Sequence, residues 1–324
     1  MLKISKKMII LIIIGIFIIV LPLIFNDPYC IDIMIMAAFH SMLALTWRTI
    51  MQIGQLSFGH AAFIGIGAYS SALLVMKLNL SFWFALPLSG FITAAISFLI
   101  GMPTLRLIGM FFAITTWAFN EIMRSVYLIF KKPFNGSTGL YGIPSPKEIH
   151  LPFLATIDFT DKTAYYYLVI ILMALLVLVL IRIERSRIGM RFDALRGDDS
   201  LAESLGINLM ACKNIAFAIA CFFAGIAGSF YAHYIGFISP YSFELSMSVD
   251  AIVFAMVGGL GSLIGPVLGA TVLTVISSLL HAAGFFKMLL FSIFLVLVIL
   301  FLPEGLISFP NRIGSLIRYI RVKK

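Results

Sequence analysis

The sequence predicts an all-α integral membrane protein of about ten transmembrane helices, some of them short or broken, arranged around a polar cytoplasmic loop. Three observations predict it. Hydrophobic residues make up 61% of the 324 residues, and the mean hydropathy is +1.09, where a soluble domain has an apolar share of about 45 to 50%. Apolar runs of about 18 residues or more recur along the chain, and a helix rising about 1.5 Å per residue needs about 20 to cross hydrocarbon. Charged residues are only 11% of the chain, yet Arg182 to Lys213 holds Arg182, Arg185, Arg187, Arg191, Arg196 and Lys213 beside Glu184, Asp193, Asp198, Asp199 and Glu203. A segment so polar belongs in water. The net charge of +9 reports orientation rather than a nucleic-acid partner, because basic residues collect on the cytoplasmic side of a membrane protein.

Lys3, Lys6 and Lys7 precede an apolar run from Met8 to Phe25. It reads as an anchor that starts inside, since it exceeds the signal-peptide core of about 7 to 15 residues and Asn26-Asp27-Pro28 is not a small-residue cleavage site. A second span covers Ile31 to Ile50, contains His40 and ends near Arg48. The third, GQLSFGHAAFIGIGAY from Gly54 to Tyr69, combines glycines with Gln55, Ser57, His60 and Tyr69. Such a stretch suits either close helix packing or a wet cavity, and the residues alone leave both open. A fourth span covers Phe82 to Gly101, with Pro103 and Arg106 in a short turn, and a fifth covers Leu107 to Phe130. Glu121 and Arg124 lie three residues apart on the fifth, so they can pair and lower the cost of burying charge. Lys131 to Lys162, rich in proline and glycine, is an external loop. A sixth span, Thr163 to Ile183, returns the chain to the cytoplasm at the polar segment.

Within that segment Met190 to Arg196 fits two helical turns stopped by Gly197, and Ser200 with Glu203 forms a capping box. A short helix from Leu201 to Leu205 follows, ended by Gly206, with its two leucines one turn apart. That apolar face is too small for a core. A docking surface and a solvated loop both fit it. Beyond lie a seventh span, Asn214 to Ile235, with the small pair Gly225 and Gly228; a turn, Gly236 to Phe243; and a short or broken helix, Glu244 to Val257. A glycine hinge, Gly258 to Ala270, leads into a ninth span, Leu263 to His281, and a tenth, Phe285 to Leu302. The basic tail, with Arg312, Arg318, Arg321, Lys323 and Lys324, should be cytoplasmic like the amino terminus.

No phosphate loop, His-Glu-x-x-His motif or Gly-x-Ser-x-Gly elbow occurs, so the chain is expected to be neither an enzyme nor a metal protein. Cys30, Cys212 and Cys221 lack disulfide-framework or zinc spacing. His40, His60, Glu121, Arg124, His233 and Asp250 are scattered, which leaves open a secondary transporter of small polar solutes.

Three stretches in order, GQLSFGHAAFIGIGAY, SRIGMRFDALRGDDSLAESLGIN and VGGLGSLIGPVLGA, resemble the LivM-type permease subunits of branched-chain amino-acid ABC importers. TLRLIGMFFAITTWAFNEI, TGLYGIP and LPEGL add to the resemblance, which spans Gly54 to Leu306. It implies a single transmembrane permease domain over 1–324, with a cytoplasmic coupling loop at 184–213 and an external loop at 131–162, in a prokaryotic inner membrane. The implied partners are two cytoplasmic ABC ATPases carrying ATP and magnesium, a second permease of the LivH type and an external substrate-binding protein, with no cofactor on this chain. Related permeases carry urea or short amides. The resemblance makes Asp199, Ser200, Leu201, Ala202, Glu203, Leu205 and Gly206 an ATPase-coupling helix, and it places Gln55, Ser57, His60, Asp250, Gly258, Gly259 and Gly261 along the translocation pathway.

Overall fold

In the computed structural model, residues 20–22, 24, 25, 27–148, 158, 159, 161–280, 284, 286–301 and 305–308 are described. Most of the expected first span, residues 149–157 and 160 of the expected external loop, and the basic tail lie outside them. The first helix within them, α1, covers Pro28–Met51. It starts there because the Asp27 carboxylate accepts the Tyr29 N–H at 3.1 Å while Pro28 fills a position that needs no N–H. α2 (His60–Leu78) ends at Asn79, whose φ of 51° turns the chain left-handed. α3 (Phe82–Thr104), α4 (Met110–Ile129) and α5 (Lys162–Glu184) follow. The charged segment folds as α6 (Arg187–Gly197) and α7 (Asp199–Ser204). α8 (Leu209–Ile235), α9 (Leu245–Gly258), α10 (Ile264–Leu279) and α11 (Lys287–Phe301) follow, with single helical turns such as Lys131–Phe134 in the connections.

The protein is helical and multi-pass. Among the described residues six segments are long and apolar enough to cross a membrane: α1, α2, α3, α5, α8, and the stretch Pro240–Gly258 that contains α9. α4 is 20 residues long but carries Glu121 and Arg124, which join at 2.9 Å, with Glu244 3.9 Å from the arginine. One feature the sequence did not suggest is a two-residue antiparallel ladder, in which β1 (Leu140–Tyr141) from the loop pairs with β2 (Phe237–Ile238) after α8.

Contacts between helix termini sort the bundle into two ends. At one, Lys162 lies 3.6 Å from Asp32 and the β1–β2 ladder closes over His233, whose ring meets the Pro144 carbonyl at 2.7 Å. At the other, Arg48 bonds Glu184 at 2.7 Å, and Gly54 packs near the Leu195 carbonyl in α6. The chain therefore runs from end to end with each successive long helix, and α6–α7 sit at the Arg48 end.

α8 is the helix that the others surround, packing most extensively on α3 and α2 and then on α1. Its seam is backbone against backbone: a Cβ on Gly67 of α2 would strike the Gly225 carbonyl, and one on Gly228 would strike the Ile64 carbonyl. Gly225 in turn faces Thr93 and Ser89 of α3. Small residues let helices approach this closely, which matters where lipid tails are as apolar as leucine. The expected glycine hinge is also a close-packed knot. Gly258 abuts the Gly265 carbonyl, Gly265 the Gly259 carbonyl, Gly269 the Phe254 carbonyl, and Gly305 the backbone of Gly259, whose own φ is 104°. Backbone contact leaves no slack there, so the glycines join α9 to α10 rigidly.

Gly67→Val should lower unfolding stability in detergent by about 1 to 3 kcal/mol, the usual cost of overpacking. Gly197→Ala, where a Cβ meets nothing within 4 Å, should leave it unchanged in the same assay.

Candidate functional site

The site is built where the apolar spans stop. α5 ends at Glu184, and the Ser186 hydroxyl then caps α6 by accepting the N–H groups of Ile188 and Gly189 at 3.2 and 3.4 Å. Gly189 is small because its backbone lies against Ile183 and Glu184, so α6 folds directly onto the end of α5. Phe192 and Leu195 bury one face of α6, while Met190 is 64% exposed on the other.

α7 is capped by Asp198 rather than by Ser200. The carboxylate accepts the Ser200 N–H at 2.8 Å, the Leu201 N–H at 3.3 Å and the Ser200 hydroxyl at 2.7 Å. An anion satisfies these amides better than a hydroxyl does, which moves the helix start to Asp199 and leaves Glu203 exposed. Those bonds, the Ser200 hydroxyl foremost, hold the Asp198 carboxyl below its ordinary value of 3.8. The helix closes as expected at Gly206, where φ is +79°. The Gly206 N–H donates to the Glu203 carbonyl at 2.8 Å and the Ile207 N–H to the Ala202 carbonyl at 3.2 Å, the paired bonds of a left-handed helix stop. Asn208 then caps α8 by accepting the Ala211 N–H at 3.0 Å.

This short helix is fixed to the bundle from beneath. Ala202 is 1% exposed, and the Lys213 ammonium, on a side chain only 4% exposed, bonds Asp199 Oδ2 at 2.5 Å. Its outer side is apolar, with Leu201 62% and Leu205 72% exposed. Two open clefts flank the Gly206–Asn208 turn. One, of about 680 Å³, lies toward Arg106 and Ile108 of the α3–α4 turn, and the other, of about 580 Å³, lies toward Arg187 and Met190 of α6. The structure thus places Asp199, Ser200, Leu201, Ala202, Glu203, Leu205 and Gly206 in one short segment, with Ser200, Leu201, Glu203, Leu205 and Gly206 exposed, Asp199 half-buried and Ala202 turned into the bundle. Asp198, Asn208 and the anchoring role of Lys213 were missed by sequence reasoning. Asp198 preceding a polar-apolar step was a readable cap signal, whereas the Lys213 partner depends on the fold.

The residues expected along a pathway divide. Ser57 and His60 are fully buried and Gln55 nearly so. The Thr46 hydroxyl lies 2.9 Å from the Met42 and Leu43 carbonyls and 2.8 Å from His60 Nε2. The Ser57 carbonyl accepts the Trp47 indole N–H at 2.9 Å, and the Gln55 amide reaches the Leu107 carbonyl at 3.4 Å. Gln55 Oε1 and His60 Nδ1 are buried with no hydrogen-bond partner among the described residues. Gly258 and Gly259 are buried in the backbone knot, while Gly261 is exposed. Asp250 lies on the exposed face of α9 with Ser246, Val249 and Met256.

The comparisons with known proteins agree with one another. A family model described as branched-chain amino acid transport system / permease component matches residues 29–303. The chain belongs to this family. The permease is 34% identical over 295 residues to the high-affinity branched-chain amino acid transport system permease protein LivM of Salmonella typhimurium, covering 86% of this chain and 69% of that protein. The LivM protein of Escherichia coli matches to the same extent. The corresponding LivH protein of Salmonella typhimurium is 30% identical over 154 residues, 47% of this chain and 49% of its own. No solved structure gives a significant match.

The depressed Asp198 carboxyl sets a sign for pH. Its contribution to α7 is full above the unfolded carboxyl value and is lost as pH falls through the lower, folded one. The protection of the Ser200 and Leu201 amides, measured against the unstructured exchange rate at the same pH, should therefore fall on acidification. Asp198→Ala should show the low protection already at neutral pH, and Asp198→Asn, which keeps an acceptor, should not.

Proposed function

We propose that this permease is a transmembrane subunit of an ABC importer that moves branched-chain amino acids from an external binding protein to the cytoplasm by alternating access. Hydrolysis is assigned to two ATPase subunits carrying ATP and magnesium. The single observation that carries the coupling role is the exposed Leu201 and Leu205 pair on a capped helix whose underside is held by Lys213. A rigid apolar knob between two clefts suits insertion into a groove on a partner. The likeness to LivM and, over a shorter stretch, to LivH supports pairing with a second, related permease.

The sidedness follows from charge. Arg48, Arg106, Arg182, Arg185, Arg187, Arg191 and Arg196 gather at the α6–α7 end, which we assign to the cytoplasm. The β1–β2 end is assigned to the outside, both termini to the cytoplasm, and the full complement to about ten spans in a single domain, with α4, α10, α11 and the expected amino-terminal anchor as spans beside the six apolar ones named above. On this reading the pathway runs along the α9 face. An ionisable Asp250 on the exposed side of a span borders water or a polar partner rather than lipid. Gln55 Oε1 and His60 Nδ1 lack partners among the described residues, but they lie inside the bundle and support its packing first. The secondary-transport reading gains nothing from the buried histidines, because His40 meets Thr274, His60 meets Thr46 and His233 meets Ser71, each on its own helix pair.

In proteoliposomes, uptake of leucine should require both ATP and the binding protein. Leu205→Asp should weaken retention of the ATPase subunits by about tenfold or more, as removal of an interface anchor does. Gly206→Pro, which removes a used N–H and cannot adopt φ of +79°, should abolish uptake while leaving membrane insertion intact. Asp250→Asn should reduce the rate of uptake without releasing the ATPases.

A further inference from the structure

Arg48 closes a link between two parts of the chain that are far apart in sequence. Its side chain is 5% exposed. Its Nη1 donates to Glu184 Oε1 at 2.7 Å, and its Nε donates to the Leu260 carbonyl at 2.9 Å. The Gln52 amide donates to the same Glu184 oxygen at 2.8 Å. Glu184 is the last residue of α5, and the backbone of Gly189 in α6 lies directly on it. Leu260 follows the close-packed glycine knot that joins α9 to α10. One guanidinium therefore holds the stem of the protruding α6–α7 segment to the turn that carries Asp250 on its preceding helix.

Two features make this more than a neutralised charge at a membrane boundary. Guanidinium presents several donors in a fixed plane, so it can hold two acceptors at once where an ammonium acts as a point charge. Both ends of the link are stiff: α6 abuts α5 through glycine backbone, and the knot at Gly258, Gly265 and Gly269 has no room for a Cβ except by displacement. A tilt of α5 and α6 thus reaches the Leu260 carbonyl without being absorbed on the way. We infer that Arg48 is a positioning residue that transmits displacement of the α6–α7 segment to α9 and α10 through Glu184 on one side and the Leu260 carbonyl on the other. The inference rests on α6–α7 being the ATPase-docking surface.

The test uses the assembled importer in proteoliposomes, with leucine uptake and ATP hydrolysis measured together for Arg48→Met, Glu184→Ala and the double variant. Each cuts the link, so uptake per ATP should fall by about tenfold in all three, within the range seen when coupling residues are altered. Because the bonds act in series, the double variant should be no worse than either single one. ATPases should remain bound in every case. A thiol at Gly261→Cys, an exposed position with open space for a side chain, should label at different rates with and without nucleotide in the Arg48 background and at one rate in Arg48→Met. Native uptake per ATP in Arg48→Met or in the double variant overturns the inference, as do losses that multiply in the double variant or labelling indifferent to nucleotide with Arg48 in place. The double variant leaves neither charge without its partner, so it decides the matter if a single variant does not assemble. Failure of the docking reading would show separately, as Leu205→Asp retaining its ATPases.

Discussion

Helices in hydrocarbon gain nothing from burying apolar side chains that lipid would cover equally well, so the bundle depends on how closely its backbones approach. The α8 seam answers that constraint. Gly225 and Gly228 bring α8 against Gly67 and Ile64 of α2, with Ser89 and Thr93 of α3 closing the third side. The same device recurs between α9 and α10. What differs is the consequence: the α8 seam fixes the interior of the bundle, whereas the second knot stiffens a turn at the charged end.

Polar groups at depth are handled locally. Ser41, Thr46 and Thr49 return their hydroxyls to carbonyls one turn back along α1, and Thr93 does so in α3. His233 shows a longer chain of dependence. Its Nδ1–H donates to the Pro144 carbonyl, which obliges Nε2 to accept from the Ser71 hydroxyl, which in turn accepts from Ser229 at 2.7 Å. That order ties the segment between α4 and α5 to α2 and α8 through a single imidazole.

Hydropathy made most long spans legible to within about five residues, because a run of about 20 apolar residues reports the solvent it was selected for. The third, expected at Gly54 to Tyr69, instead runs from His60 to Leu78 because its polar, glycine-rich start stays outside the helix. Gly206 and the two leucines were legible too, since a left-handed helix stop and a one-turn spacing are local signals. The partners of Arg48, Lys213 and His233 were not, as each lies on an element remote in sequence. Arg48 read as a boundary charge and Lys213 as one more base in a charged loop. The glycines of Gly258 to Ala270 read as a hinge because composition does not distinguish a loose turn from one clamped by its own neighbours. The β1–β2 ladder escaped notice for a related reason: two residues per strand are too few to show a period.

The left-handed turn at Gly206–Asn208 stands between two hollows, with Leu205 on the wall of one of them. A smooth helix would let a partner slide by one turn and still match leucine to leucine. Here the ridge has a hollow on each side, lined by Arg106 in one and Arg187 in the other. If α7 docks as proposed, a ridge between hollows of different lining favours one register, as a key with a single notch does.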